Sequence, residues 1–527
     1  MGGGGKLSGG RTAVLDGAAA RQLPQLLERH AKQDDDLDLR EVVQAMDAPS
    51  VRTLCQSLGA VVEEALDQVQ VALDISEDGV WDADAVERLG AAAAFVLLMA
   101  EEGLPPAGML ALHPVAVSLH DAVLLAAAEH PELQNTVARF CELWWAQGLE
   151  GKEALVAQTL PFLLVRALTS GRAVDVKRCH AIREAFLLLD YEDASIVDLK
   201  KLLLRAAFAP AFLRNAPGRR FLSFLFTIHP LLVHELAAII RNQVLSGRQS
   251  VLEAYGEVLF RAWRDATGPC LAEIEDTVQG LMKAAILAAA PSLGAALRTV
   301  LGGFHNQKHV KGVDSLLLRL YEPILFRALA SANASVRCNS LHTLSAAFPL
   351  QDPELEATEV DELLTRQFGL LGDCLDDPVP AVRRAAASVT CSLLNVWWEL
   401  VPSATAAQFL KRIAGLAFDS TSSNVRVAAI SGLKLLVDNA LAQPLLKVVL
   451  PALAPLMEDS SIKVRLALVD LLMVVRSVRA LHFYEIVPVE KLLDAMGGSS
   501  REVTARLQAL LLPSYFPEPV EGAARVA

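Results

Sequence analysis

The stretch Asp459-Ser460-Ser461-Ile462-Lys463-Val464-Arg465-Leu466-Ala467-Leu468-Val469-Asp470-Leu471-Leu472 decides the fold. Val464, Leu468, Leu471 and Val475 recur at the i, i+4, i+7 spacing that lays one apolar stripe along a helix. The same Val-Arg phrase, opening a run of small and apolar residues, stands at Val336-Arg337, Val382-Arg383 and Val425-Arg426. The intervals from the first copy to the one at Val464 are 46, 43 and 39 residues. A period of about 40–47 residues belongs to HEAT and armadillo arrays, in which each repeat is a helical hairpin. The spacing therefore predicts an all-α chain, a HEAT/armadillo-like α-solenoid of stacked helical hairpins.

Neighbouring copies repeat the pattern. Val382, Ala386, Val389 and Leu393 share one face, as do Val425, Ala429, Leu433 and Leu436. In the copy at Val464, Pro451 and Pro455 fall in the first helix, Asp459 begins the turn, and Val464-Arg465 opens the second helix. Asp377, Asp419 and Asp459 precede Arg383, Arg426 and Arg465 by six or seven residues. An acid at a helix start is favoured by exposed N–H groups and the macrodipole. Each arginine fork can then reach an acid of the adjoining repeat, which makes these six residues a structural ladder. Asn333 replaces the acid before Arg337, and a weaker fifth copy lies near Val503 to Arg506.

Outward from the repeats, the chain divides into a flexible Gly-rich tail over 1–20 and a degenerate helical region of HEAT type over 21–312. Regular HEAT repeats over 313–512 and a Pro-rich tail over 513–527 follow. The degenerate region reads as helices at Gln22–Ala31, Leu37–Met46, Val51–Leu73 and Leu89–Met99. Further helices fall at Val115–Glu129, Leu133–Gln147, Leu155–Thr169, Val176–Leu189 and Ile196–Phe208. No segment alternates as a strand would. The abundance of Leu and Ala with few aromatics agrees with helix.

The net charge of −13 and pI near 5.4 oppose a dedicated DNA-binding domain, which would have a pI above about 9. Nucleic-acid contact would need a local patch or a basic partner. The seven cysteines include no C-x-x-C pair and sit in apolar runs, so they read as reduced, buried thiols. No apolar run reaches the roughly 18 residues of a membrane span, and the N-terminus lacks a secretory h-region.

Catalytic signatures are missing: no phosphate loop, no H-E-x-x-H, no G-x-S-x-G and no kinase motif. Gly2 to Gly5 is no phosphate cradle, since no strand precedes it. His305 and His309 are four apart, but no carboxylate or cysteine completes a metal set, and they read as a solvated polar segment. No cofactor and no metal are expected. Two basic clusters are candidate phosphate or partner contacts: Arg219-Arg220, and Lys308 with Lys311 in His305-Asn306-Gln307-Lys308-His309-Val310-Lys311. Trp144-Trp145 and Trp397-Trp398 read chiefly as core, with one ring of each pair able to face a groove.

Several segments together resemble the G-type HEAT subunit of the condensin II complex. They include Leu143-Trp144-Trp145-Ala146-Gln147-Gly148-Leu149 and Gly218-Arg219-Arg220-Phe221-Leu222-Ser223-Phe224. Phe260-Arg261-Ala262-Trp263-Arg264 and Leu318-Arg319-Leu320-Tyr321-Glu322-Pro323-Ile324-Leu325-Phe326-Arg327 follow in the same order, then Ala347-Phe348-Pro349. The likeness runs from about Leu23 to Leu512. It implies a non-enzymatic subunit in the nucleus, on mitotic chromosomes. That subunit binds the kleisin and, through it, the SMC ATPase pair, and contacts DNA and chromatin, methylated histone tails included. It also implies a longer array, whose C-terminal half is absent here, and the glycine-rich start departs from the family. The alternative reading is a HEAT or armadillo transport receptor or phosphatase-type scaffold holding peptides. A peptide receptor would repeat a groove asparagine; Asn395 and Asn439 fit, but Val478 breaks the series.

Overall fold

The computed structural model describes residues 48–75, 81–101, 106–126, 130–498 and 500–515. Among them every regular element is helical and no strand occurs. The segments read as helices at 22–31 and 37–46, and the glycine-rich tail, lie outside the described residues. The contacts divide the chain into two compact units, one running to Gln243 and including Glu257–Ile274, the other formed by Val244–Gly256 and the residues from Glu275 onward.

The first unit begins with α1 (Ala48–Ile75), α2 (Ala83–Glu101), α3 (Pro106–Ala126) and α4 (Pro131–Ala146). Each packs on the next and on the next but one, as hairpins do when they stack. The long periodic run starting at Val51 buries Leu54, Leu58, Val62 and Ala65. Here Pro114 sits inside α3, and the helix expected from Val115 starts a little over two turns earlier. Then come α5 (Thr159–Ser170), α6 (Ala173–Ala181), α7 (Val197–Phe208), α8 (Pro210–Arg214) and α9 (Ala216–Leu225). The segment expected as one helix over 176–189 breaks after Ala181 and continues as a tighter 3-10 turn, Arg183–Leu188.

α10 (Pro230–Val244), α11 (Gln249–Asp265) and α12 (Gly268–Leu287) lead into the second unit. There the helices alternate between two layers. The second helices of successive hairpins are α13 (Pro291–His305), α15 (Ala334–Ala347), α17 (Pro380–Trp397), α19 (Ser423–Leu436) and α21 (Ile462–Arg476). Each contacts the next in that series. The first helices α14 (Val313–Leu329), α16 (Ala357–Leu375), α18 (Ser403–Leu416) and α20 (Gln443–Val449) form the other layer. α22 (Phe483–Ile486), α23 (Val489–Gly498) and α24 (Arg501–Tyr515) end the described chain.

The apolar stripes read from the repeats lie in the core. Val425, Ala429, Leu433 and Leu436 are buried, as are Val464, Leu468, Leu471 and Val475. Close approach of α17 and α19 is set by Gly432: a Cβ there would stand 2.6 Å from the Cys391 sulfur. Two local expectations differ. Pro451 and Pro455 lie in a 3-10 segment, Leu450–Glu458, after α20 has ended, because proline removes the N–H that an α-helix would use. Pro513 lies inside α24, which runs on to Tyr515, so the helix does not stop where the proline-rich tail was expected to begin.

Candidate functional site

The ladder arginines occupy one position: Arg337, Arg383, Arg426 and Arg465 are each the fourth residue of their helix. From there the guanidinium does two things at once. Arg383 Nη1 donates to the turn carbonyls of Asp377 (2.7 Å) and Pro378 (3.0 Å), while its other nitrogens reach Asp419 in the next repeat at 2.6–2.8 Å. Arg337 repeats this with the carbonyls of Ser331 and Ala332 and with Asp377 at 2.7 and 2.9 Å. Arg426 caps the Asp419 carbonyl and donates to Asp459 at 2.9 Å.

The acids are pre-aimed by backbone N–H groups two residues on. Asp377 accepts from Val379, Asp419 from Thr421, and Asp459 from Ser461. Burial pushes the Asp419 carboxyl up, but hydrogen bonds from Thr421 and Arg383 outweigh it and hold the group below the usual carboxylate range. These pairs are 6–14 % exposed, so removing one partner would strand a buried charge.

Arg465 departs from the ladder. Its Nε is buried without a hydrogen-bond partner, because the segment before α24 reads Gly497-Gly498-Ser499-Ser500 and offers no carboxylate. Conversely, Arg219 belongs to the ladder although no Val precedes it. It is the fourth residue of α9; its Nη1 donates to Leu213 and Arg214 carbonyls at 3.0 and 3.1 Å, and its Nε reaches Glu257 at 2.6 Å. The offsets of six and five residues back to the carbonyls match those of Arg337 and Arg383. The signal missed in the sequence was position within the helix rather than the Val-Arg dipeptide.

Of the four cations singled out for phosphate or partner contact, two are engaged internally. Arg219 is taken up by its own turn and by Glu257. Lys308 bonds the carbonyls of Ala347 and Pro349 at the end of α15 and lies 3.6 Å from Asp314. A cation suits that negative helix terminus. Burial lowers the Lys308 pKa to about 8, against the opposing pull of Asp314. Arg220 and Lys311 are exposed.

His305 is not solvated: it is buried, with Nε2 2.9 Å from the Tyr321 hydroxyl. Burial, then Lys308 and Arg298, lower its pKa to about 3, which keeps the ring neutral. His309 lies beyond the end of α13 and is exposed, so the two do not form a metal pair. Among the described residues no group of three or more metal-ligating side chains occurs, and no helix is long and apolar enough to cross a membrane.

Trp144 is fully buried and donates to the Glu150 carbonyl at 3.1 Å, whereas Trp145 lies under the Lys152 ammonium. Trp397 is partly open beside Phe348. Asn439 bonds the Asn395 carbonyl at 3.4 Å, a contact between repeats rather than a pair of free groove amides.

The second unit also carries a basic strip that no motif announced. Arg298, His342 and Arg384 sit on α13, α15 and α17, three successive second helices. Partial burial, then Arg298 and Arg384, hold the His342 pKa below its ordinary value. The three are near one another in space but about forty residues apart in sequence, so no local cluster reveals them.

Stacked hairpins joined by arginine–acid rungs, with cations left open beside them, define a helical-repeat scaffold. Residues 205–352 match the model of the condensin II non structural maintenance of chromosomes subunit. Condensin-2 complex subunit G2 of Mus musculus is 36% identical over 410 residues, 77% of this chain and 36% of that protein. The Homo sapiens subunit is 36% identical over 76% of this chain and 36% of its own length. The Xenopus laevis subunit is 31% identical over 96% and 45%. A solved chain from the Pds5-Scc1 complex overlays with a TM-score of 0.39 at 12% identity, covering 87% of this chain and 73% of that one, too distant to argue from. The chain belongs to the condensin II G2-subunit family. It spans between 36% and 45% of the length of these three relatives.

Proposed function

We propose that this chain is a scaffold segment of condensin II that holds the kleisin and, with it, contacts DNA on mitotic chromosomes in the nucleus. The kleisin would link it to the SMC ATPase pair. The observation that supports a DNA contact is the strip across α13, α15 and α17, in which Arg384 is exposed while His342 adds no charge at neutral pH and Arg298 is partly buried, with Lys311 exposed in the same unit. Cations spaced along successive helices can neutralise phosphates without reading bases, and this gives salt-dependent binding. An acidic chain gains little long-range steering, so the contact is local and depends on the kleisin partner. The boundary between the degenerate region 21–312 and the regular repeats 313–512 belongs to the same proposal, with partner recognition concentrated before and around it.

Two measurements test it. Co-expression with an intact kleisin should yield a stable complex, and no complex under any condition would overturn the scaffold reading. In that complex, Lys311→Glu with Arg384→Glu should weaken duplex binding and lower the slope of log affinity against log salt by about 2, one for each phosphate no longer neutralised. Unchanged affinity and slope would remove the strip from the DNA face. Lys308→Glu is unsuited to this test, because that ammonium caps α15.

A further inference from the structure

The first unit holds two arginine-rich cavities that differ in how their charge is satisfied. In one, carboxylates bridge between elements: Glu142 holds Arg178 at 2.5 Å, and Asp175, 6 % exposed, holds Arg166 at 3.0 Å. In the other, a cavity of about 500 Å³, the lining includes Arg183, Arg220, Arg261 and Arg264 with His180 and Phe224. These come from α6, the 3-10 turn after it, α9 and the end of α11. The carboxylates there are poorly placed to neutralise them. Glu184 and Asp265 are 63 % and 56 % exposed and pair only with their chain neighbours Arg183 and Arg264. Such exposed pairs are worth about 0–1 kcal/mol and exchange readily. Glu257 is shared between Arg219 and Arg261. Arg220 is paired with no carboxylate among the described residues.

We infer that this cavity is a binding site for a phosphoryl group carried on a side chain of a partner protein. Guanidinium forks match the three acceptor oxygens and the charge of about −1.5 to −2 of a phosphate monoester. A single carboxylate brings half that charge and would merely replace Glu184 or Asp265. Arg183 is held ready by stacking over Phe224, 5.8 Å from the ring centre, within the range of a cation–π contact. Arg261 is held by Glu257 at 2.9 Å. A DNA backbone fits less well. It needs cations along a run of phosphates spaced over many ångströms, whereas this site is one depression whose exposed rim acids repel flanking phosphates.

The test uses the full chain and a fluorescein-labelled peptide, Gly-Ser-phosphoSer-Ser-Gly, read by anisotropy at low salt, beside its unphosphorylated twin. The phosphorylated form should bind and the twin should not. Arg220→Ala and Arg264→Ala should each weaken binding about tenfold, the effect expected for one charge-assisted hydrogen bond, with thermal melting unchanged. Lys311→Ala, in the other unit, should have no effect. Inorganic phosphate at millimolar concentration should displace the peptide. Equal binding of the two peptides, or insensitivity to both arginine variants, would overturn the inference. So would a 30-base-pair duplex whose affinity falls as steeply in both variants, since that would make the cavity part of a DNA face. None of these readouts involves the kleisin complex, so failure here leaves the scaffold reading standing.

Discussion

The regular repeats of the second unit and the irregular hairpins of the first use the same residue, arginine, in different ways. From Arg337 to Arg426 each guanidinium caps its own turn and closes on a buried aspartate in the next repeat, so the charge is consumed in stacking. Among the described residues of the first unit only Arg219 makes that bipartite contact, and its acid is the one-third-exposed Glu257. Other arginines there pair across elements, as Arg178 does, or stay open, as Arg220 does. The arginines at the repeated fourth position serve the array itself, whereas the irregular unit leaves Arg220 over for a partner.

The sharpest way to break this contrast is to remove a rung. Asp419→Ala should strand the buried Arg383 and cost about 3–5 kcal/mol in urea unfolding; a destabilisation below about 1 kcal/mol would reduce the ladder to surface decoration. Gly432→Val comes next, because a β-branched side chain collides with Cys391 at the α17–α19 crossing. Overpacking there should destabilise by about 1–3 kcal/mol, visible as a lowered melting temperature without change in helix content. Glu257→Ala should cost less, about 1 kcal/mol, since Arg219 keeps its two carbonyl acceptors and the site is already partly hydrated. If it costs as much as Asp419→Ala, the two regions do not differ in kind.

The smallest effect is one of pH. Asp419 and, in the first unit, Asp175 have folded pKa values below the ordinary 3.8; burial opposes this, and hydrogen bonds and arginines outweigh it. A depressed carboxylate stabilises the fold fully above its unfolded pKa and loses that contribution as pH falls through the folded value. Stability should therefore drop as pH falls below about 4, and Asp419→Asn should flatten that acid limb. An unchanged limb would show that the Arg383–Asp419 pair carries no proton linkage.

Much of the second unit was legible before folding. The apolar stripes at Val425 and Val464 and the turn acids recur in register, and a repeat must bury the same face each time it stacks. The candidate cations were less legible. Lys308 and Lys311 are three residues apart, yet one caps a helix end and the other faces solvent. Nothing local distinguishes them, since the carbonyls that engage Lys308 come from residues 347 and 349.

By itself the sequence determined that this protein is a stack of helical hairpins, because helix periodicity and repeat length are properties of neighbouring residues and survive in a linear reading. Tertiary structure alone decided which charges are free. A glycine-rich turn left the Arg465 Nε without a hydrogen-bond partner, Arg219 gained an acid from a helix 38 residues on, and Arg220 was left beside three other arginines. Neutralisation depends on distances of a few ångströms between residues about forty apart in the chain, and no local pattern encodes those distances.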